Sequence, residues 1–410
     1  MRLRHVPLET VAEAQRRAKR RLPKSVYVAI MAAVEKGATL DRNVAVFDDV
    51  GFSPRVGMTA APARDLGTTV LGERLAMPVI IAPAGVQAVW PDGDVAVARA
   101  AASMGTAMSA SNFAGSPLVR IVEANPATFF QLYWSGDRDD IAGRVEHARA
   151  IGVKALIITL DATAYASRDW GSPTFPERLD LPSALRFSPV GLSRPRWLLR
   201  FLCNGGFPNL KVPNLATTAD GIPTMFEGVR RWAMTPRPTW DDVAWLRALW
   251  SGPFLVKGVF HPDDARRAVD VGASAISVSN HGGNNLDTTP AALRALPAIA
   301  QAVGGEVEVL FDGGVRRGGD VAKALALGAR AVLVGRPWIF GLAADGERGV
   351  REVLEILRAG LDDTLVRLGH DSIADLSPHD LVLPRDFALS LSSNPASAVA
   401  HGGAQATARR

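Results

Sequence analysis

The chain has 410 residues, 48% of them hydrophobic and 21% charged, and carries a formal net charge of +5. A sequence of that length and balance builds a large core, which excludes wholesale disorder. Its one cysteine, Cys203, excludes an intramolecular disulfide, a cysteine-ligated iron–sulfur cluster and a C-x-x-C-H haem attachment, and suits a reducing compartment, so the cytoplasm is the expected location.

The N-terminal stretch MRLRHVPLETVAEAQRRAKRRLPKS lacks the apolar region of a signal peptide, and no apolar run approaches the roughly 18 residues of a transmembrane helix. Arg16, Arg17, Lys19, Arg20, Arg21 and Lys24 crowd together. With no nucleic-acid motif and no interleaved aromatics, they read as a solvated helix face, and no nucleic-acid partner is expected. The first 75 or so residues read as a helical lead-in capped by turns, TLDRN at 39–43 among them.

From about residue 78, short Val/Ile/Leu runs alternate with Ala-rich stretches of helical period. The runs are PVIIAP (78–83), GTAMSA (105–110), ATFFQLY (127–133), VKALIITLD (153–161), FLVKG (254–258), ASAISVSN (273–280), VEVLFDGG (307–314) and AVLVGR (331–336). Helices are predicted over 94–104, 139–151, 262–271, 290–303 and 320–327. Eight alternating units point to an α/β fold, a (β/α)8 TIM barrel, forming a single domain over 1–392. The Gly/Ala/Arg tail at 393–410 is expected to be disordered. A Pro-, Arg- and Trp-rich interruption at about 170–240 separates the fourth and fifth strands and is too long for a plain loop, so it is a lid or a surface-interaction insert. Within it RPRWLLRFL (194–202) is basic and amphipathic; packing on the barrel is expected over contact with a membrane surface.

Reacting groups of such a barrel lie at the carboxyl ends of its strands. The runs end, in order, near Gln87; near Ser111; at Gln131 and Tyr133; at Thr159 and Asp161; at Lys257; at Ser279, Asn280 and His281; at Asp312-Gly313-Gly314 with Arg316; and at Gly335-Arg336. The last two turns, DGGVRRGGD (312–320) and GRP (335–337), offer glycine N–H groups, helix N-termini and guanidinium charge to a phosphate. Lys257, at the end of a buried strand, needs an anionic partner: the negative edge of a reduced flavin or a neighbouring Asp. His281 opens a loop just after a strand, as a catalytic base or as a hydrogen-bonding loop residue. No metal site is expected.

QLY (131–133), LVKGV (255–259), SNHGG with LD (279–287), DGGVRRG (312–318) and GRP (335–337) together resemble the FMN-dependent 2-hydroxy acid dehydrogenase and oxidase family, from about Leu22 to Leu376. The resemblance implies FMN as cofactor and His281 as catalytic base, paired with Asp161. It also implies Tyr133 as a donor to the substrate oxygen and Arg168 as a substrate clamp. The backbone of Pro83, Ala84 and Gly85, with Ser111, Gln131, Thr159, Lys257 and Ser279, would contact the flavin ring. Asp312, Gly313, Gly314, Arg316, Gly335 and Arg336 would hold the ribityl phosphate. Family members are commonly tetrameric, so a homo-oligomer is expected.

The sequence departs from the pattern where the family grips a carboxylate. Asn284 and Asn285 stand in the SNHGxRQLD segment in place of its arginine and neighbour, Ala29 stands where a substrate-binding tyrosine is usual, and Ala84 replaces a threonine. Asparagine cannot replace the charge of a bidentate Arg–carboxylate contact. The variant SNHGGNNLD, with KRRLPKSVY (19–27), RDWGSP (168–173) and the long insert, is similar to the mycofactocin-biosynthesis branch of the family. That similarity implies oxidative deamination of a tyrosine- and valine-derived aminopyrrolidinone, a peptide-derived lactam, to its α-keto lactam, with oxygen as acceptor. Two alternatives stay open: an L-lactate or other 2-hydroxy acid dehydrogenase or oxidase using Arg168 alone, and a non-catalytic FMN-binding carrier of the lactam.

Overall fold

The eight apolar runs become eight parallel strands. They are β1 (Val79–Ile81), β2 (Met108–Ser111), β3 (Thr128–Tyr133), β4 (Ala155–Thr159), β5 (Phe254–Val259), β6 (Ala275–Val278), β7 (Glu308–Asp312) and β8 (Ala331–Val334). They close into a barrel in the order β7-β8-β1-β2-β3-β4-β5-β6, the (β/α)8 architecture expected from the alternation. The structure is a computed structural model that describes residues 6–58, 61–86, 88–162, 167–171, 188–189, 191–204, 210–216, 221–389 and 391. Gln87 and residues 393–410 lie outside the described residues.

The strands read as unbroken apolar runs because both faces are covered. Ile80, Phe129, Ile157, Leu255, Leu310 and Leu333 fill the interior together with Val70, Leu71 and Leu75 of a hairpin (Thr68–Val70 paired with Glu73–Leu75). That hairpin packs on the strand starts, leaving the carboxyl ends as the end where chemistry can occur. The outer faces meet helices α4 (Gly93–Ser103), α5 (Leu118–Ala124), α6 (Arg138–Ala150), α9 (Trp240–Leu249), α10 (Pro262–Asp270), α11 (Ala292–Val303), α12 (Gly318–Ala326) and α13 (Arg336–Leu368). Side-chain caps fix where several begin: Asp137 with Asp140 closes a capping box on α6, and Thr239 with Asp242 does so on α9.

The lead-in forms α1 (Val11–Arg21), α2 (Lys24–Met31) and α3 (Ala38–Asp49). TLDRN, expected as a turn, lies inside α3. The reason is remote in sequence: the Asp287 carboxylate accepts the N–H groups of Ala38 at 3.1 Å and Thr39 at 2.7 Å, so the cap comes from across the barrel mouth rather than from the preceding residue.

Two helices of the insert are described, α7 (Pro195–Cys203) and α8 (Met225–Met234). The segment expected to pack on the barrel does so: Trp197 Nε1 donates to the Ala88 carbonyl at 2.9 Å, Arg194 Nε to that of Leu22 at 3.1 Å, and the Arg200 guanidinium stacks 3.6 Å over the Trp90 ring. No described helix is long and apolar enough to cross a membrane.

Candidate active site

Parallel register sets the polar strand ends side by side: Ser111 pairs with Gln131, Tyr133 with Thr159, Thr159 with Lys257, and Lys257 with Ser277. Residues two apart on a strand face the same way, so the continuation of β4 carries Asp161 alongside Thr159. His281 Nδ1 donates to Asp161 Oδ1 at 2.9 Å, and its Nε2 lies 3.3 Å from the Tyr133 hydroxyl. The ring of Tyr133 runs nearly parallel to the imidazole, 19° between planes. Burial pushes the Asp161 carboxyl upward, but the adjacent His281 and then Lys257 outweigh it and hold the group below the usual carboxylate range. Burial, with Asp161 and Asp312 nearby, raises the Tyr133 hydroxyl well above its ordinary value. The carboxylate therefore stays charged and the phenol stays protonated near neutral pH.

The backbone around this pair is shaped for it. Gly258 sits at φ +100° where β5 bulges, and a Cβ there would lie 2.5 Å from Asp161 Cγ; only glycine admits the carboxylate so close. His281 itself holds φ +54°, a left-handed conformation uncommon outside glycine. A Cβ on Gly283 would lie 2.7 Å from the Leu40 N of α3. Asn280 and Asn43 exchange amide hydrogen bonds of 2.8 and 2.9 Å, and the Asn280 amide also reaches the Pro290 carbonyl. The histidine loop is thus pinned to α3 from the lead-in.

Lys257 finds both kinds of neighbour weighed for it. Its ammonium lies 3.0 Å from Asp312 and donates to Ser279 Oγ at 2.9 Å; Ser279 and Ser277 in turn donate to Asp312 at 2.8 and 3.1 Å. Burial depresses this lysine, but Asp312 and Asp161 more than compensate and raise it. The Asp312 side chain is therefore committed to Lys257 and the two serines.

On the far side of the mouth Arg316 and Arg336 lie half-buried near each other. Burial lowers Arg316 to about 10, and burial followed by the charges of Arg316 and Arg168 lowers Arg336 to about 9. Arg336 donates to the carbonyls of Met31 and Gly282, and among the described residues no carboxylate hydrogen-bonds to it. Gly313 and Gly314 take φ of +124° and +87°, and a Cβ on Gly335 would meet open space. Two repelling guanidiniums beside glycine turns fit a phosphate. The Gln131 Nε2 donor is buried with no partner among the described residues, while Ser111 donates to its Oε1 at 3.0 Å. An orphaned amide N–H facing the barrel mouth fits the carbonyl and nitrogen edge of a flavin.

The loop after β2 is held by a residue that composition and motif did not reveal. Asp94, in the first turn of α4, accepts the N–H groups of Gly115 at 2.9 Å and Ser116 at 3.1 Å, and burial raises it to about 6.

Arg168 reaches the same end. Its backbone forms a parallel bridge with Glu35, and its guanidinium lies 5.5 Å from the Trp170 ring centroid. The Asn285 Nδ2 donor is buried without an acceptor among the described residues. Ala29 lines a small, nearly wholly apolar cavity of about 70 Å³ with Gly85, Val86, Met225 and Phe226.

Residues 18–383 match the model of the FMN-dependent dehydrogenases. The chain belongs to the FMN-dependent dehydrogenase family. It is 57% identical over 379 residues to a pre-mycofactocin synthase of Mycobacterium tuberculosis, covering 92% of this chain and 96% of that one. Among solved structures it superposes on the monotopic membrane protein (S)-mandelate dehydrogenase with a TM-score of 0.83 at 34% identity, over 92% of this chain and all of the other. It also superposes on a mandelate oxidase with one arginine replaced by leucine, bound to 2-hydroxy-phenylacetamide, with a TM-score of 0.73 at 31% identity, over 92% and 98% of the two chains. This FMN-dependent dehydrogenase is accordingly an oxidoreductase whose cofactor is FMN.

Of the expected residues, Tyr133, Asp161, Lys257, Ser279, His281 and Asp312 form one connected polar chain. Arg316 and Arg336 form a separate cationic corner, joined to the first through Gly282. Asn43, Asp94, Gly258 and Asp287 were not singled out from the sequence for the work they do.

Proposed function

We propose that this FMN-dependent dehydrogenase oxidatively deaminates a tyrosine- and valine-derived aminopyrrolidinone lactam to its α-keto lactam, a step in mycofactocin biosynthesis. One observation carries the reading: the His281–Asp161 pair is intact at 2.9 Å, while Asn284, Asn285 and Ala29 occupy the positions of the family's carboxylate clamp. A buried Asn285 N–H without an acceptor among the described residues supports a neutral carbonyl as its partner. Alanine at position 29 is smaller than the tyrosine usual there in the family, which makes room for a bulkier substrate. The relatedness to a pre-mycofactocin synthase agrees, as does a family member crystallised with an α-hydroxy amide after loss of an arginine.

Bound FMN supplies the two-electron acceptor for the C–H bond at the amine-bearing carbon, and dioxygen then serves as the final acceptor. The ring would rest on the backbone of Pro83 to Gly85 and on Ser111, Gln131, Thr159, Lys257 and Ser279. The phosphate would lie with Gly313, Gly314, Arg316, Gly335 and Arg336. His281 Nε2 removes a proton from the substrate amine as the C=N bond forms. The Nδ1–H to Asp161 bond fixes the tautomer that leaves Nε2 free, and the carboxylate stabilises the imidazolium. Tyr133, kept protonated by burial, donates to a substrate heteroatom. Water then adds across the C=N bond and ammonia leaves, giving the ketone. Asn284 and Asn285 face the lactam amide, whose carbonyl and N–H match asparagine donors and acceptors.

The test is a mass spectrum after incubating holoenzyme with the aminolactam in air, with an assay for released ammonia. The keto lactam with one equivalent of ammonia is expected; unchanged lactam would refute the reading.

A further inference from the structure

His281, Gly282 and Gly283 take φ of +54°, +61° and +80°, three successive residues in the left-handed region. Residues visit that region singly as a rule, and of these three only His281 carries the steric cost of a Cβ. Such a run persists where its surroundings fix it. Its backbone is accordingly tied on every side. The His281 N–H donates to Ser279 Oγ at 3.0 Å, and the Gly283 N–H donates to the Asn280 carbonyl at 3.0 Å. The three carbonyls accept, in turn, from the Asn284 N–H at 3.2 Å, from Arg336 Nη1 at 2.9 Å and from the Val34 N–H at 3.1 Å. Arg336 is the one side chain among those three donors.

Arg336 opens α13 directly after the β8 strand and its Gly335 cap, so strand and helix together fix where its side chain starts. Its guanidinium does not stop at the histidine loop. Nε and Nη2 donate at 2.9 and 2.5 Å to the carbonyl of Met31, the last residue of α2. Ala32 follows at φ +44°, where the helix has ended and its last carbonyls need donors from elsewhere. The planar fork therefore bridges two backbone oxygens, one on α2 and one beside His281. An ammonium, a compact charge on a flexible stem, cannot span both in one plane. Three of the five guanidinium N–H groups are used in this way, and one on each of Nη1 and Nη2 is left over for the anion that the neighbouring glycine turns would hold. A Cβ on Gly282 would stand 2.6 Å from Arg336 Nη1, so the close approach also requires glycine on the loop side.

We propose that Arg336 is a positioning residue for His281: by holding the Gly282 carbonyl to the end of α2, it keeps the left-handed turn closed and aims the imidazole at Asp161 and Tyr133. The direction of the ring is set by the Cα–Cβ bond of a residue at φ +54°. Relaxing the turn toward ordinary backbone angles swings that bond away from a carboxylate that lies 2.9 Å from Nδ1. Ser279 fixes the start of the turn, and Arg336 and Val34 hold its two later carbonyls from outside the loop. This task is separate from the charge that Arg336 offers a phosphate, because a lysine supplies the charge without the fork. The inference uses the reading of His281 as a base only for its consequence, since its test needs no substrate.

The test compares wild type, Arg336→Lys and Arg316→Lys, each saturated with FMN, by amide hydrogen exchange and by the rate of histidine carbethoxylation at fixed pH. Peptide mass resolves His281 among the seven histidines. Arg316→Lys perturbs the cationic corner alone, because the Arg316 guanidinium donates to the Val315 carbonyl rather than to the histidine loop. In Arg336→Lys the Gly283 and Asn284 amides should exchange about tenfold faster, as expected for losing one hydrogen bond from a charged donor, and His281 should be carbethoxylated faster. In Arg316→Lys the same amides should stay within about twofold of wild type. Wild-type behaviour of Arg336→Lys overturns the assignment. So does an equal rise in both variants, which would trace the loop to cofactor grip alone, or a rise shared by the barrel strands, which would report general loosening. Where Arg336→Lys does not fold, Arg336→Gln, with one short amide to serve two carbonyls, is read by the same criteria. Flavin bleaching by the lactam reads the proposed reaction independently.

Discussion

His281 Nδ1 and Asp161 Oδ1 lie 2.9 Å apart although 120 residues separate them, one residue following β6 and the other β4. The carboxylate is held below its ordinary range because the imidazole and Lys257 overcome the effect of burial. In the proposed mechanism Asp161→Asn keeps the shape and removes the charge that supports imidazolium. A fall of about 10²–10⁴-fold in the rate of flavin reduction by the lactam is expected, with His281→Ala at least as severe. Product formation by His281→Ala at near the wild-type rate would instead favour a carrier that binds the lactam without acting on it.

Gly258 makes that approach sterically possible. Gly258→Ala puts a Cβ 2.5 Å from Asp161 Cγ at φ +100°, so the expected outcome is about 1–3 kcal/mol of lost stability in urea unfolding together with impaired flavin reduction. Unchanged stability and rate would show that the carboxylate has room to move.

Asn284 tests why simple acids are refused. Asn284→Arg restores a guanidinium able to fork onto a carboxylate, and L-lactate should then reduce the flavin measurably while the lactam reduces it more slowly. Rapid reduction by L-lactate in the unaltered protein would favour the alternative in which Arg168 alone suffices.

Asp94 links stability to pH in the direction opposite to an ion-paired carboxylate. Burial raises its pKa from the ordinary 3.8 to about 6, so the folded state binds a proton that the unfolded chain has released. Stability is therefore fully present below about pH 4, declines as pH rises through 6, and is lower above it by up to about 3 kcal/mol from this group. Asp94→Asn is neutral throughout, so its stability relative to wild type should improve between about pH 4 and 7.5. A difference independent of pH would mean that Asp94 is not strained by its surroundings.

Much of the candidate site was legible in the sequence because chemistry at a barrel mouth is written at strand ends. Gln131, Tyr133 and Lys257 lie in the carboxyl-terminal halves of their strands, Asp161 and His281 follow theirs within three residues, and parallel register brings these ends side by side. The residues that were missed act across long sequence separations. Nothing near Ala38 announces that Asp287 caps its helix, and Asn43, in a segment expected to be a turn, meets Asn280 only once α3 is laid over the histidine loop. Gly258 in LVKGV marks the family, but its use, letting Asp161 close on His281, depends on a neighbouring strand.

The most direct measurement is anaerobic stopped-flow mixing of the FMN-loaded protein with the aminopyrrolidinone and, separately, with L-lactate, following the visible absorbance of the flavin. Bleaching by the lactam, abolished in His281→Ala and absent or far slower with L-lactate, is the expected result. An unbleached flavin with the lactam beside rapid bleaching with L-lactate would contradict it.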